Sequence, residues 1–301
     1  MTESISVVEL AKAKVNLTLE VLGKRPDGYH ELRSIVAFAD FGDTLTLTPG
    51  RSFALHSTGP MALNIDGPNL IEKAAGLMRA LFVDETGDAA KGFGRFDLAK
   101  RIPVAAGLGG GSADAAAAIR AIMRASPALQ PATAALNAAA LKIGADVPVC
   151  LAQVTAYMAG VGEAMTPLPK MPSFAALLVN PGVKLSTRDV FQALAAEPLK
   201  GNEECASDAA NGVERRLSAG DWASCLMQSC NDLEPPARRL APEIDDVLSA
   251  LSSMTGCWLA RLSGSGPTCF ALFETNAQAE EAAATLRRDR QQWWCVATQL
   301  G

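Results

Sequence analysis

The chain has 301 residues, of which 49% are hydrophobic and 20% are charged, so it is long enough for two domains and too apolar for a disordered protein. Its formal net charge of −5 argues against a nucleic-acid-binding protein, because such proteins neutralise phosphates with a basic surface. No apolar run approaches the roughly 20 residues that a membrane span needs, and no cysteine pair has the C-x-x-C spacing typical of a zinc site. The composition therefore predicts a cytoplasmic protein with reduced thiols that binds neither nucleic acid nor membranes.

The first half of the chain is predicted to place strands before helices. Alternating apolar and polar residues predict strands at 15–22, 31–38 and 44–48, and Pro26-Asp27-Gly28 supplies a turn. Asn69 is predicted to open a helix, because Glu72 follows three residues later as in a capping box. The elements predicted next are a strand at 95–100, helices at 112–125 and 132–143, and a strand at 154–159.

The second half alternates between strands and helices. Its predicted elements are a strand at 174–180, helices at 190–196, 222–229 and 242–254, strands at 258–263 and 268–273, a helix at 277–288 and a strand at 294–298. The order strand, helices, strand, strand, helix, strand is typical of a ferredoxin-like sandwich. The Gly- and Pro-rich segment 161–172 shows no clear period and is predicted to contain a domain boundary. The polar segment 202–212 is predicted to be a surface insertion.

A glycine-rich loop stands before the helix predicted at 112–125, in the sequence IPVAAGLGGGSADAAAAIRA (102–121). It is not a P-loop, because no lysine follows the glycines, and Ser112 stands where a dinucleotide-binding fingerprint needs its third glycine. Glycines allow consecutive N–H groups to converge on an anion, and the N-terminus of the helix adds its own unpaired N–H groups. The loop is therefore predicted to bind phosphate, against the alternative of an ordinary turn in which Ser112 caps the helix.

Several segments resemble one family in the same order along nearly the whole chain. PVAAGLGGGSADAAAA (103–118) is similar to the phosphate-binding motif of the small-molecule kinases that include galactokinase, homoserine kinase, mevalonate kinase and phosphomevalonate kinase. LSGSGPTCFALF (262–273) resembles the third, glycine-rich motif of that family. LAKAKVNLTLEVLGKRPDGYHELRSIV (10–36) resembles the opening of a member that acts in isoprenoid precursor synthesis, and GADVPVCL, NPGVKLSTRDVF and NDLEP match that member as well.

The resemblance implies an α+β fold with two domains. Residues 1–165 are expected to form an ATP-binding domain of the ribosomal-protein-S5-domain-2 type, and residues 166–301 a ferredoxin-like domain. The implied ATP-binding residues are Pro103, Ala106, Gly107, Leu108, Gly109, Gly110, Gly111, Ser112 and Ala113. Mg²⁺ is expected to arrive with ATP, held mostly by phosphates and water, because no acidic cluster stands out as its site. The adenine pocket is sought between Leu63 and Lys73.

The resemblance also implies two catalytic residues. Asp146 matches the family's catalytic base, although on sequence alone an aspartate that caps local amides would be the simpler interpretation. Lys14 is expected to keep Asp146 ionised and to orient the acceptor hydroxyl, against the alternative of a solvated strand lysine. Lys12 lies one strand period away and competes with Lys14, but Ala13-Lys14-Val15-Asn16 gives the better alignment with the motif.

The substrate implied by the resemblance is a small alcohol that carries a cytidine diphosphate. Tyr29 and Phe191 are expected to stack on the base and His30 to read its edge. The full set of implied substrate-binding residues is Asn16, Tyr29, His30, Thr187, Phe191, Gly264, Ser265 and Gly266. A monomer or a weak homodimer is expected. A kinase for another small alcohol such as homoserine and a non-catalytic nucleotide-dependent sensor remain the alternatives.

The sequence departs from the family's pattern at two positions. Pro267 removes an N–H group where many relatives carry alanine, which puts its amide in doubt as a ligand but not the amides of Gly264 to Gly266. Ala113 stands where many relatives have a second serine, so Ser112 carries the only hydroxyl of the loop.

Overall fold

The structure of this protein is a computed structural model that describes residues 5–62, 69–86, 93–127, 131–195, 217 and 220–301. By packing, the chain divides into two compact units that alternate along the sequence. The first unit comprises Met1–Ala13, Phe41–Val104 and Gly109–Gln153, and the second comprises Lys14–Asp40, Ala105–Leu108 and Val154–Gly301. The division of the sequence into domains at residue 165 stays a prediction.

The strands are β1 (Val7–Asn16), β2 (Glu20–Lys24), β3 (His30–Pro49), β4 (Ala54–Thr58), β5 (Gly94–Ala99), β6 (Ala156–Gly160), β7 (Ala164–Pro167), β8 (Phe174–Asn180), β9 (Cys257–Leu262), β10 (Cys269–Phe273) and β11 (Trp294–Leu300). The helices are α1 (Leu70–Thr86), α2 (Gly110–Ala125), α3 (Thr133–Ile143), α4 (Val147–Ala152), α5 (Thr187–Leu194), α6 (Trp222–Met227), α7 (Glu234–Leu240), α8 (Glu243–Ser252) and α9 (Asn276–Asp289). No helix among the described residues is long and apolar enough to cross a membrane.

The first unit packs its helices around α2. This helix contacts α1 and α4, and its run of alanines from Ala115 to Ala118 is fully buried. Small side chains let neighbouring helices approach closely, while Ile119 and Ile122 fill the remaining core. In the same unit β5 pairs antiparallel with the second half of β3 and parallel with β4.

In the second unit, four strands pair antiparallel in the order β11-β8-β10-β9, and β11 also pairs with β3 at Leu300 and Ala39. The chain passes from β8 through α5–α8 to β9, then through β10 and α9 to β11, which confirms the predicted ferredoxin-like order. The core beneath the sheet is built from apolar residues such as Leu177, Val247 and Phe273. The predicted bounds of β8 agree with the structure residue for residue.

Three predicted elements differ from the structure. The strand predicted at 15–22 is wrong, because the chain leaves the ladder after Asn16 and Thr18 Oγ1 accepts the N–H of Ile35 instead. The strands predicted at 31–38 and 44–48 are one strand, β3. Gly42 does not break it: a Cβ there would lie 2.2 Å from the carbonyl oxygen of Ala11, so glycine permits a close approach of β1.

Further elements had no clear sequence signal. Strand β7 lies in the Gly- and Pro-rich segment predicted to contain a domain boundary, where the sequence shows no clear period, and β4 and α7 were not predicted. Helix α2 begins at Gly110 rather than at Ser112. The segment 202–212, predicted to be a surface insertion, lies outside the described residues.

Candidate active site

The second half of the glycine loop opens α2 in the first unit. Gly109 takes the N-cap position with a left-handed φ of 61°, and no side chain caps the helix. Ser112 lies inside the first turn, so the alternative in which it caps the helix is wrong. The N–H of Ala113 donates to the carbonyl oxygen of Gly109 at 2.9 Å, which closes the first turn. The N–H of Ala113 is therefore not available to bind an anion. The N–H groups of Gly110, Gly111 and Ser112 have no acceptor within the helix and form its open end.

Ser112 lies close to the turn that carries Asp146. Its Oγ is 3.7 Å from the position that a Cβ would take on Gly144, two residues before Asp146. Asp146 is the N-cap residue of α4, yet its side chain makes no capping hydrogen bond to that helix. The simple role of a helix-capping aspartate is therefore not observed. The first unit therefore places the N-terminus of α2, the predicted phosphate site, close to the turn that carries the predicted base.

A buried charge cluster that the sequence analysis missed lies beneath the loop. Lys100 Nζ donates to Asp43 Oδ2 at 2.5 Å and to Asp114 Oδ2 at 2.6 Å, and all three side chains are nearly inaccessible to solvent. Nζ lies 3.2 Å from the position of a Cβ on Gly110, so this cation supports the back of the loop. Asp43 Oδ1 also accepts the N–H of Ile102 at 2.8 Å.

The cluster contains one cation, Lys100, and two carboxyl groups, Asp43 and Asp114. The pKa values of Lys100 and Asp114 are shifted because the side chains are buried and because the two carboxyl groups share a single positive charge. Burial would lower the pKa of Lys100, but the charges of Asp114 and Asp43 raise it above its ordinary value. Burial, with repulsion from Asp43, raises the pKa of Asp114 to about 7 against the attraction of Lys100. Asp114 Oδ1 is buried without a hydrogen-bond partner, which fits a carboxyl group that readily holds a proton.

The end of β1 carries Lys14 and Asn16 in the second unit. Both side chains are buried, with 5% and 6% of their surface exposed, so Lys14 is not the solvated strand lysine of the alternative interpretation. The N–H of Lys14 donates to the carbonyl oxygen of Leu108 at 2.9 Å. Asn16 Nδ2 donates to Ser34 Oγ at 2.7 Å, which fixes the orientation of the amide. The backbone of Lys14 and the side-chain amide of Asn16 are thereby held by hydrogen bonds within the protein.

The first half of the glycine loop packs against the turn at 263–268, also in the second unit. Gly107 has a φ of 75°, and a Cβ there would lie 2.4 Å from the carbonyl oxygen of Ser263. Ser263 Oγ donates to the carbonyl oxygen of Gly107 at 2.9 Å, and the N–H of Thr268 donates to that of Ala106 at 3.2 Å. These hydrogen bonds hold the first half of the loop, at Ala106 and Gly107, against the turn at 263–268.

The turn itself uses one amide that was predicted to meet a ligand. The N–H of Gly266 donates to the carbonyl oxygen of Ser263 at 3.0 Å. This amide therefore stabilises the turn, and the prediction that it binds a ligand is wrong. The peptide bond that follows it, Gly266-Pro267, is cis. Binding of a ligand by the amides of Gly264 and Ser265 stays a prediction.

The predicted base-binding residues lie in the second unit. The rings of His30 and Phe191 stack, with centroids 4.7 Å apart and planes inclined by 26°. Tyr29 is adjacent in sequence and 65% exposed. Burial, and then the charge of Lys24, lower the pKa of His30, so its ring is neutral at pH 7 and can both donate and accept a hydrogen bond.

Thr187, a predicted substrate contact, is the first residue of α5, because Ser186 caps this helix by accepting the N–H of Asp189. Its Oγ1 lies 2.7 Å from Ser265 Oγ. A predicted substrate-binding residue of the glycine turn and one of α5 therefore form a pair.

Two further expectations concern metal and adenine. Among the described residues, no group of three or more His, Cys, Asp or Glu side chains could hold a metal ion. Most of the segment 63–73, where adenine was sought, lies outside the described residues, which resume at Asn69. Leu70 borders the loop, with its Cδ1 at 3.4 Å from the position of a Cβ on Gly111.

Two family models and the curated relatives of this chain all describe kinases. Residues 69–153 match the model described as the GHMP kinases N terminal domain, and residues 214–290 match GHMP kinases C terminal. The 4-diphosphocytidyl-2-C-methyl-D-erythritol kinase of Rhodopseudomonas palustris (strain BisA53) is 43% identical over 305 residues and is matched over 100% of both chains. The enzyme of the same name from Parvibaculum lavamentivorans is 46% identical, with 98% of each chain covered.

Solved structures give the same result. A crystal structure of 4-(cytidine 5'-diphospho)-2C-methyl-D-erythritol kinase is 34% identical, has a TM-score of 0.76 and covers 98% of this chain and 99% of its own. A homoserine kinase from Cytophaga hutchinsonii is 19% identical, with a TM-score of 0.70 and coverage of 100% of this chain and 96% of its own. At that identity the second likeness shows the fold alone.

Proposed function

The chain belongs to the 4-diphosphocytidyl-2-C-methyl-D-erythritol kinase family of the GHMP kinases, and we propose that it transfers the γ-phosphoryl group of ATP to the 2-hydroxyl of 4-diphosphocytidyl-2-C-methyl-D-erythritol. It is an ATP-dependent kinase with a two-domain α+β fold. The observation that carries the proposal is the uncapped N-terminus of α2, next to the turn of Asp146.

The triphosphate is proposed to bind at the glycine loop. The N–H groups of Gly110, Gly111 and Ser112 point out of the open end of a 16-residue helix, where its dipole favours negative charge. Because Gly109 adopts a left-handed conformation, the preceding backbone can curve around an anion without a side chain in the way. Ser112 adds a hydroxyl donor. The remaining predicted contacts, from Pro103 to Leu108, are proposed to border the same phosphates.

Mg²⁺ is proposed to arrive with ATP. The described residues offer no acidic cage, so phosphate oxygens and water would hold most of the ion. When bound, the ion neutralises charge on the phosphate groups.

Asp146 is proposed as the base that accepts the proton of the 2-hydroxyl. The hydroxyl oxygen then forms a bond to the γ-phosphorus, the bond from that phosphorus to the β,γ-bridging oxygen breaks, and ADP leaves. Lys14 is proposed to orient the hydroxyl and to stabilise the negative charge that develops there. Its support is the burial of the side chain and the hydrogen bond that fixes its backbone to Leu108.

The cytidine end of the substrate is proposed to bind at Tyr29, His30 and Phe191. A cytosine ring presents donors and acceptors on one edge and two flat faces, so it suits a neutral imidazole beside aromatic rings. Asn16, Thr187, Gly264 and Ser265 are proposed to bind other polar groups of the substrate, and Gly266 to border it without donating its amide.

The alternatives make different demands on these residues. A kinase for homoserine needs no aromatic pair, and a nucleotide sensor needs no base such as Asp146. We further propose that the protein acts in the cytoplasm, as a monomer or a weak homodimer. The six described cysteines are free thiols, which suits a reducing compartment.

An ADP-release assay with purified protein tests the proposal against these alternatives. ATP is supplied with 4-diphosphocytidyl-2-C-methyl-D-erythritol, with homoserine, or with no acceptor. We expect ADP release that depends on the cytidine substrate alone. Turnover with homoserine and none with the cytidine substrate would contradict the substrate assignment, and nucleotide binding without turnover of either would favour the sensor.

A further inference from the structure

Ser263 connects two parts of the second unit that are far apart in sequence. It follows β9 directly and its surface is fully buried. Its Oγ donates to the carbonyl oxygen of Gly107 at 2.9 Å and accepts the N–H of Asn16 at 3.2 Å. One hydroxyl therefore bridges the glycine loop and the end of β1.

A second bond runs beside this bridge. The N–H of Lys14, two residues before Asn16, donates to the carbonyl oxygen of Leu108, the residue after Gly107. Two successive loop carbonyls are thus tied to one strand, one directly and one through Ser263. Because consecutive strand residues alternate in direction, Lys14 and Asn16 point to the same side of β1.

Serine suits this position for a physical reason. A hydroxyl has one proton to donate and lone pairs to accept, so it can serve an acceptor and a donor at once. Space is short, since a Cβ on Gly107 would already lie 2.4 Å from the carbonyl oxygen of Ser263. An alanine at 263 would leave a buried N–H and a carbonyl oxygen without this partner.

We propose that Ser263 is a positioning residue that sets the distance between the first half of the glycine loop, at Gly107 and Leu108, and the Lys14–Asn16 end of β1. The proposal rests on the proposed function, in which this half of the loop borders the phosphates of the donor and this strand end holds the acceptor. Ser263 differs in this from Ser265, whose hydroxyl pairs with Thr187. It acts through Gly107 and Asn16 and need not contact a substrate.

The test compares Ser263→Ala with Ser229→Ala in the full chain. Ser229 is the matched control, because its Oγ also donates to a backbone carbonyl oxygen, but to that of Cys225, four residues earlier, at 2.6 Å rather than to the glycine loop. We expect Ser263→Ala to lower kcat by about 10- to 100-fold, because small misplacements of reacting groups are costly. Calorimetric Kd values for ATP alone and for the cytidine substrate alone should change by less than about 3-fold, and Ser229→Ala should keep the wild-type kcat.

If the role of Ser263 were purely structural, Ser263→Ala would lower the melting temperature, and kcat would not fall while the Kd values stayed nearly constant. A folded Ser263→Ala protein with kcat within about 3-fold of wild type would overturn the proposal. Should alanine prevent folding, Ser263→Cys is used instead, because a thiol is a weaker donor and acceptor. An intermediate kcat in that variant supports the proposal, and a wild-type kcat overturns it.

Amide hydrogen exchange separates this proposal from the proposed function. In Ser263→Ala, or in Ser263→Cys should alanine prevent folding, we expect faster exchange at Asn16, whose N–H loses or weakens its hydroxyl partner, and no such change in Ser229→Ala. This readout does not depend on turnover. Wild-type protein that phosphorylates nothing would contradict the proposed function, whereas unchanged exchange at Asn16 would contradict the role of Ser263.

Discussion

Asp146 occupies a position where aspartate commonly accepts backbone N–H groups, yet its side chain makes no such bond to α4. A capping role would have explained its presence without chemistry. The neighbouring turn instead lies beside Ser112, at the end of α2 that is proposed to bind phosphate. At the residue scale, the proposed catalysis therefore depends on whether this carboxylate accepts a proton.

We expect Asp146→Asn to lower kcat by about 10²- to 10⁴-fold, because the amide cannot accept the proton of the hydroxyl. The Kd for ATP should stay within about 2-fold of the wild-type value, since Asp146 is assigned to the acceptor. Steady-state ADP release gives kcat, and calorimetry gives Kd. Activity close to that of the wild type would remove Asp146 from the role of base.

Tyr29 tests the cytidine site. We expect Tyr29→Ala to raise KM for the cytidine substrate by roughly 5- to 100-fold, because base stacking on an aromatic ring contributes about 1–3 kcal/mol. Tyr29→Phe, which keeps the ring, is the control and should stay near the wild-type KM. Tyr29 is 65% exposed, so neither change should disturb folding. Equal KM values in all three proteins would show that the base binds elsewhere.

At the scale of elements, the glycine loop combines a backbone conformation with a tight contact. Gly107 and Gly220 both have positive φ values, 75° and 83°. Among the described residues, an added Cβ would have neighbours within 4 Å at Gly107, including the carbonyl oxygen of Ser263, but none at Gly220. An alanine at either position costs about 1–2 kcal/mol of backbone strain. The contact with Ser263 adds a clash at Gly107 alone.

We expect Gly107→Ala to weaken ATP binding by about 10-fold or more, because the first half of the loop must move away from its neighbour. Gly220→Ala should lose stability from backbone strain and bind ATP as the wild type does. Calorimetric titration with a non-hydrolysable ATP analogue measures both. The same Kd in the two variants would show that the contact with Ser263 does not position the loop.

The start of α2 shows what the sequence could predict at this scale and what it could not. The run of glycines before an alanine-rich segment predicted an anion-binding loop and a helix, and the helix is present. The cap was ambiguous, because serine is a good capping residue and glycine a permissive one. In the structure Gly109 is the N-cap residue and adopts the left-handed conformation, which places Ser112 in the first turn.

The cluster beneath the loop was beyond sequence reasoning. Asp43, Lys100 and Asp114 lie on β3, after β5 and on α2, so nothing in their spacing brings them together. Ser263 is a similar case, because its partners are 156 and 247 residues away. Such long-range hydrogen bonds depend on tertiary packing, whereas Tyr29, His30 and Asp146 could be named because each lies within a local motif.

At the scale of the whole molecule, each of the two units is built from several separate segments of the chain. The division into units is therefore hard to predict from the order of the sequence alone. The ferredoxin-like order of the second unit was predicted, because its strands and helices follow one another along the chain. The first 40 residues contribute to both units, which a boundary search by composition does not detect. Strands β1 and β3 each continue from one unit into the other.

Asp114 makes the stability of the molecule depend on pH. Its pKa is about 7 in the folded protein and near 3.8 when the chain is unfolded, so the folded state binds more protons between these values. The stabilisation from this group is therefore complete below about pH 4 and is lost as the pH rises through 7. We expect Asp114→Asn, which cannot ionise, to gain at least about 1 kcal/mol relative to wild type between pH 5 and pH 8.

Urea unfolding of both proteins at the two pH values measures this difference, and carboxyl groups outside the cluster cancel because both proteins contain them. A difference in unfolding free energy that is the same at pH 5 and pH 8 would show that Asp114 is ionised throughout this range.

The proposed reaction transfers the γ-phosphoryl group of ATP to the 2-hydroxyl of the cytidine substrate. Phosphorus NMR of the reaction with ATP and 4-diphosphocytidyl-2-C-methyl-D-erythritol tests both the transfer and its position. We expect a new phosphomonoester on the 2-oxygen, an intact diphosphate and one equivalent of ADP. A phosphate released to water, or a phosphomonoester on any other oxygen, would contradict the claim.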